Sequence, residues 1–216
     1  MLYIKVLSFN AFGVNTYFVY DDDGVCAIVD PGVSSASEMR QIEHFIEVNE
    51  LKPIMVINTH AHIDHIIGNS RVSQRYGIDV AAHPDARQYY SVMPQQAYMF
   101  GFDCEEEVLY PSVSLEDGQV VTIGRGQLKV ILTPGHAEGS VCLLSEDSGF
   151  VITGDVLFQQ SIGRTDLPGG SIAKLKNSIL ERLMTLSDEL IVYPGHGIDT
   201  TIGDERRYNP FIASWQ

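Results

Sequence analysis

Cysteine is scarce in this sequence, with three in 216 residues, at positions 26, 104 and 142. Three thiols so far apart cannot build the disulfide framework of a small secreted domain. Positive charge is scarce as well: 14 Lys plus Arg stand against 28 Asp plus Glu, a formal net charge of −14. A field of that sign repels phosphate backbones, so no nucleic acid partner is expected. No apolar run approaches the ~18 residues of a membrane span, so no membrane partner is expected either. The opening MLYIKVLSFN alternates apolar and polar residues and lacks the apolar core of a signal peptide. Repeats, low-complexity tracts and Pro/Ser-rich linkers are missing, which predicts one domain over residues 1–216. Hydrophobic residues make up 44%, enough to exclude a disordered chain. The expectation is a soluble cytoplasmic protein.

What is present is a succession of strand and helix signals. Residues 3–9 alternate, 16–20 are aromatic and β-branched, DDDG at 21–24 makes a turn, and VCAIVD follows at 25–30. Ser34 or Ser35 is placed to cap a helix carrying Met39, Ile42 and Ile46, closed before Pro53. The apolar run 54–58 predicts a strand buried on both faces. HAHIDHIIGNSRVSQRYG then predicts a helix ended by Gly77. Strands are expected at 119–123, 127–132, 140–145 and 150–154. A helix from Ser171 would bury Ile172, Leu175, Ile179, Leu183 and Leu186, and a last strand would cover 189–193. Strand-rich halves, each with helices, suggest two sheets packed face to face with helices outside.

The chemistry lies at the strand ends. His60-Ala61-His62-Ile63-Asp64-His65 follows the apolar strand directly. Imidazole nitrogens beside a carboxylate are a donor mixture that zinc, iron and manganese accept. Alternate side chains of such a loop point the same way, so His60 and His62 can converge on one ion while Asp64 and His65 reach a second. TPGH at 133–136, TGD at 153–155 and YPGH at 193–196 add His136, Asp155 and His196 at further strand ends. Single histidines are usually surface residues, but seven candidate ligands at four strand ends are a metal-site pattern.

HAHIDH followed by TPGH, TGD and YPGH resembles the metallo-β-lactamase superfamily, from about residue 15 onward. The resemblance implies an α+β fold, a four-layer αββα sandwich. It also implies two divalent metal ions, zinc first, with iron or manganese as the other options. His60, His62 and His136 would hold one metal and Asp64, His65 and His196 the other, with Asp155 bridging. Superfamily β-lactamases generally use a cysteine ligand and lack the full histidine set, which argues against antibiotic hydrolysis. VITGDVLFQQSIGRTD and ILTPGHAEGSVCLL look like the glyoxalase II (hydroxyacylglutathione hydrolase) branch. That likeness implies hydrolysis of a small-molecule thioester such as S-D-lactoylglutathione by a metal-bridging hydroxide, which Asp64 would orient. Full-length glyoxalase II adds a C-terminal glutathione-binding region, and this sequence stops about twenty residues after His196, which leaves the thiol carrier open.

Two further residues take roles from the resemblance. Asp30, in VDPG, would orient a metal-bound histidine, or else cap the turn before Pro31. Arg164 would contact an anionic substrate, or else pair with Asp166, which braces its loop. Persulfide dioxygenases of the same superfamily share the GRTD run and bind one iron through two histidines and an aspartate, here His60, His136 and Asp155. Lactonases place a tyrosine where this sequence has Phe158, which argues against that activity. The aromatic stretch 87–110 would either pack into the core, as aromatic runs more often do, or wall the substrate pocket. Asn58 and Thr59 suit backbone hydrogen bonds of the metal loop, while His44 and His83 suit structural roles, as do Cys26 and Cys142 in strands.

Overall fold

The computed structural model describes residues 1–102 and 108–215. The chain opens with β1 (Tyr3–Phe9), β2 (Val14–Tyr20) and β3 (Val25–Val29), then α1 (Ala36–Val48) and β4 (Lys52–Ile57). Short α2 (Ile63–Ile66) and α3 (Asn69–Tyr76) lead to β5 (Asp79–Ala82), α4 (Arg87–Phe100) and β6 (Val113–Ser114). The second half has β7 (Val120–Ile123), β8 (Gly126–Leu132), β9 (Val141–Ser145), β10 (Phe150–Gly154) and a ribbon of β11 (Leu157–Phe158) and β12 (Ser161–Ile162). It closes with α5 (Ile172–Asn177), a π-helical turn Ser178–Leu183, β13 (Ile191–Pro194), β14 (Thr200–Thr201), α6 (Ile202–Tyr208) and α7 (Pro210–Ala213).

Strands β1 to β6 form one sheet in chain order, and a second runs β14-β13-β10-β9-β8-β7. Because strand side chains alternate between faces, each sheet feeds two cores. Tyr17, Val19, Ala27 and Val29 meet Leu128, Val130, Leu143 and Ile152 between the sheets. On the outer face of the first sheet, Phe18, Ile28, Val56 and Val80 pack under Met39, Ile42 and Ile46 of α1 and Val72 of α3. On the outer face of the second, Ile131, Leu144 and Val151 pack under Leu175, Ile179, Leu183, Ile202 and Ile212. Helix, sheet, sheet and helix therefore stack as four layers, as the resemblance implies.

Some expectations are corrected. The strand expected at 54–58 begins at Lys52 and is buried on both faces only at Val56 and Ile57; Ile54 stays 42% exposed. Val56 is its one residue packed into the core beneath the helical layer. The helix expected up to Gly77 is split at Gly68, whose amide donates to the Pro31 carbonyl at 2.9 Å. A Cβ there would lie 2.3 Å from that oxygen, so the helices can approach the Pro31 loop only through glycine. Gly77 does end α3, in the left-handed region. Ser171 caps α5 by accepting from the Lys174 amide, but Ile172 is 53% exposed and outside the apolar face. The turn then widens to π geometry, and the buried row runs Leu175, Ile179, Leu183.

Candidate metal centre

Strands β3, β4, β8, β10 and β13 carry the site at their carboxyl ends, where α/β sheets place ligands. Three groups of three side chains have donor atoms within 4.8 Å of one another. One is Asp30, His60 and His65; the other two are His60, His62 and His136, and Asp64, His65 and His196. Asp155 lies between them. Its Oδ1 is 3.5 Å from His65 Nε2, and its Oδ2 is 3.6 Å from the Nε2 atoms of both His136 and His196. The seven residues singled out in the sequence therefore converge on one place.

Three of the five rings are aimed by a fixed acceptor. His65 Nδ1 donates to Asp30 Oδ2 at 3.0 Å, His136 Nδ1 to the Arg164 carbonyl at 2.8 Å, and His196 Nδ1 to the Phe12 carbonyl at 3.1 Å. A ring that donates through Nδ1 turns the lone pair of Nε2 toward the centre. Asp30 also accepts from the Thr59 amide at 2.8 Å and its hydroxyl at 2.6 Å, so it both braces the turn and aims a histidine. Its backbone sits at φ 50°, the left-handed region that aspartate tolerates better than most residues and that clusters at functional sites. Thr59 thus serves through its side chain as well as its backbone.

The donor set fits divalent cations. His60 Nε2 and Asp155 Oδ1 are buried and have no hydrogen-bond partner within the protein, an arrangement that is costly unless something else satisfies them. Burial pushes His60 well below the usual imidazole range and His62 down to about 3. His136 is lowered too, chiefly by burial. These three rings are neutral, the form that ligates. The other half differs. Burial would push His65 down, but Asp64, Asp155 and Asp30 raise it to about 10. Asp64 is lowered despite its burial, because His65 and His196 face it. That half of the site calls for positive charge against its carboxylates.

Glycines make room for the convergence. A Cβ on Gly195 would lie 2.1 Å from Asp155 Oδ1 and 2.8 Å from His65 Cε1, and one on Gly163 would lie 1.9 Å from the Asp155 carbonyl. Arg164 forms a fork with Asp166, at 2.8 and 2.7 Å, and both side chains are exposed. Of the two roles open to Arg164 in the sequence, the structure shows this pair.

Several residues carry more than the sequence suggested. Asn15 donates to the carbonyls of Pro194 and Gly197, and the Tyr17 hydroxyl donates to Pro194, binding the His196 loop to β2. Asn58 is held by Tyr90 and Asn69 and donates to the His65 carbonyl. Asn10 donates to the Gly32 and Asp64 carbonyls. Tyr89 stands edge-on to the His62 ring, accepts from the Glu138 amide and donates to the Pro168 carbonyl. A buried polar residue inside an apolar strand, as in Val14-Asn15-Thr16-Tyr17, is the one signal that could have found the first of these. Tyr89, Tyr90 and Met93 are buried on α4, so part of the aromatic stretch is core and part faces the site. Cys26 and Cys142 are free and buried, and Cys104 lies outside the described residues.

The sequence profile of the metallo-beta-lactamase superfamily matches residues 9–196. Hydroxyacylglutathione hydrolase GloC of Haemophilus influenzae is 32% identical over 212 residues, 98% of each chain. The crystal structure of BLEG-1 B3 metallo-beta-lactamase is similar with a TM-score of 0.87 and 33% identity, over 97% of this chain and 99% of that one. TTHA1623, in a di-iron-bound form, is similar with a TM-score of 0.85 and 31% identity, over 96% and 99%.

Proposed function

Because this chain belongs to the metallo-beta-lactamase superfamily, we propose that it is a two-metal hydrolase of small-molecule thioesters, of which S-D-lactoylglutathione is the reference case. The observation that carries this reading is the convergence of two three-residue donor groups with Asp155 between them. His60, His62 and His136 would hold one cation, Asp64, His65 and His196 the second. Zinc suits the donors best, while iron and manganese suit them too; the di-iron form of TTHA1623 is a precedent for iron. Two such cations supply Lewis acidity and bring the pKa of a shared water toward neutrality.

The chain's own groups do the positioning. Asp30 and the carbonyls of Phe12 and Arg164 fix three imidazoles. Asp64, beside His196 at 3.1 Å, orients the attacking water and holds its proton. The water oxygen bonds to the acyl carbon, the carbon–sulfur bond breaks, and the sulfur leaves with its electron pair. A thiol with pKa near ~8.5 needs little help in leaving; it ends with the water's proton, and the other product is the carboxylic acid. The likeness to GloC supports this substrate class.

Two other reactions belong in the same assay. The likeness to BLEG-1 removes the force of the ligand-set argument against β-lactams, since that protein is described as a lactamase and is 33% identical. His136 and Asp155 also lie 3.6 Å apart beside His60, a subset that would serve a single-iron persulfide dioxygenase. The test follows thioester absorbance and a chromogenic β-lactam in parallel on protein reloaded with zinc or manganese, without oxygen, and oxygen uptake with a persulfide on protein reloaded with iron. Thioester turnover at kcat/KM above roughly 10⁴ M⁻¹s⁻¹ is expected, and His65→Ala should abolish it. Full hydrolysis by His65→Ala would refute the two-metal mechanism. Turnover of the β-lactam alone, or of a persulfide with iron and oxygen alone, would replace the reading.

A further inference from the structure

A cavity of about 440 Å³ opens beside His62, between α4 and the loop 167–169. Its size is that of a small-ligand site. The protein side of it is unusual for a site meant to hold an anion. Val92, Met99 and Leu167 supply apolar surface, and Gln88, Gln95 and Gln96 supply neutral amides. Among the described residues, no Asp, Glu, Lys or Arg side chain lines it. The apolar surface of α4 continues to Phe100, whose ring meets Phe12 edge-on at 5.2 Å. Phe12 is also the residue whose carbonyl holds His196, so this surface runs from one half of the metal centre to the other.

The cations nearest this cavity are already engaged. Arg164 forks onto Asp166. Lys174 bonds Glu138 at 2.7 Å, and Glu138 stands against Gly169 at the rim, 3.3 Å from where a Cβ would be. Arg87, at the start of α4, lies over the Tyr110 ring at 4.5 Å. An incoming carboxylate would compete with these partners, and it would approach a molecule of net charge −14.

We propose that this cavity receives the thiol half of the thioester, and that this half is uncharged and largely apolar rather than the anionic tripeptide glutathione. The inference rests on the hydrolase reading and narrows its substrate class. Amide groups of such a carrier would find donors and acceptors in the three glutamines, and its alkyl segments would lie on Val92, Met99 and Leu167.

Two measurements separate this inference from the reaction class. The first is calorimetric binding of two thioethers that cannot be hydrolysed, S-butyl-N-acetylcysteamine and S-butylglutathione. The uncharged one should bind at least tenfold more tightly. Val92→Arg, on the exposed side of α4, should weaken it at least fivefold and strengthen the glutathione analogue; Gln96→Arg repeats the test if the first variant is unstable. Equal binding, tighter binding of S-butylglutathione, or binding of neither would overturn the proposal. The second measurement compares kcat/KM for butyryl thioesters of the same two thiols, with a tenfold preference for N-acetylcysteamine expected and a glutathione preference overturning the proposal. If neither is hydrolysed while the uncharged thioether binds, the reaction class fails and the cavity assignment stands on the binding result.

Discussion

Asp30 shows how one side chain can be made to serve two elements. Its carboxylate ends β3, pins Thr59 at the start of the histidine loop and aims His65, all from a left-handed backbone. Removing such an outer partner typically costs 10–100-fold in metal affinity. Asp30→Ala is expected to fall in that range in a chelator-competition titration, with Asp30→Asn intermediate because asparagine also tolerates positive φ. Gly195 makes the complementary case, where the useful property is the missing side chain. Gly195→Ala would press a methyl group onto Asp155 and His65, so metal counting should find fewer than two equivalents bound to a folded protein. Two equivalents at unchanged affinity would show that the loop relaxes freely. The family resemblance already gave Asp30 the role of orienting a histidine, beside that of a turn cap, whereas Gly195 stood in the sequence only as part of the YPGH motif. The ligands themselves were legible because histidine and aspartate are uncommon at such density, whereas Phe12 and Arg164 aim their histidines through backbone carbonyls, which no sequence displays.

At the scale of elements, the turn between β2 and β3 is fastened to the turn between β7 and β8. Asp21 Oδ1 accepts from the amides of Asp23 and Val25, and Oδ2 accepts from the Arg125 amide. Burial tends to raise this carboxyl, but the three amides outweigh it and hold it below the usual carboxylate range. A lowered folded-state pKa contributes stability that is complete above the unfolded value and is lost as pH falls through the folded one. Asp21→Asn should therefore cost about 1–3 kcal/mol at neutral pH. In urea titrations the gap to the parent should narrow as pH drops below about 4; a gap that widened would contradict this account.

The longer strands of both sheets were readable, since alternation and β-branched runs follow directly from facing two cores, while the two-residue β6 and β14 were not. Helix α4 was not, because Pro94 interrupts it and aromatic and glutamine residues blur its apolar stripe. The short α6 and α7 were missed because their apolar contribution is slight: Ile202 and Ile212 are the residues they place in the core of that layer. Ile172 stands exposed at the first position of α5, which a fixed helical period does not anticipate.

For the whole molecule, the centre draws on both sheets. His62 meets His136 across 74 positions, and His65 meets His196 across 131. A ligand that binds only the folded state stabilises it in proportion to the logarithm of its concentration over Kd. Chelation is therefore expected to abolish hydrolysis and to lower Tm, by several degrees if it removes about 2.7 kcal/mol. Readdition of zinc or manganese should restore both. An unchanged Tm after verified metal loss would mean that the two sheets hold the site preformed without the ions.

The division of the centre along the chain has a consequence for the order of assembly. His60, His62, Asp64 and His65 lie within one short loop, so a nascent chain presents them together early in synthesis. His136, Asp155 and His196 arrive later, and His196 can join only when its loop is seated on Asn15 and Tyr17 of the second strand. Loops of that length close slowly because their contacts come after the entropy of closure has been spent. A metal ion captured early would tether a half-made site. In the two-metal reading the second ion would be bound last, once the His196 loop has returned to the second strand.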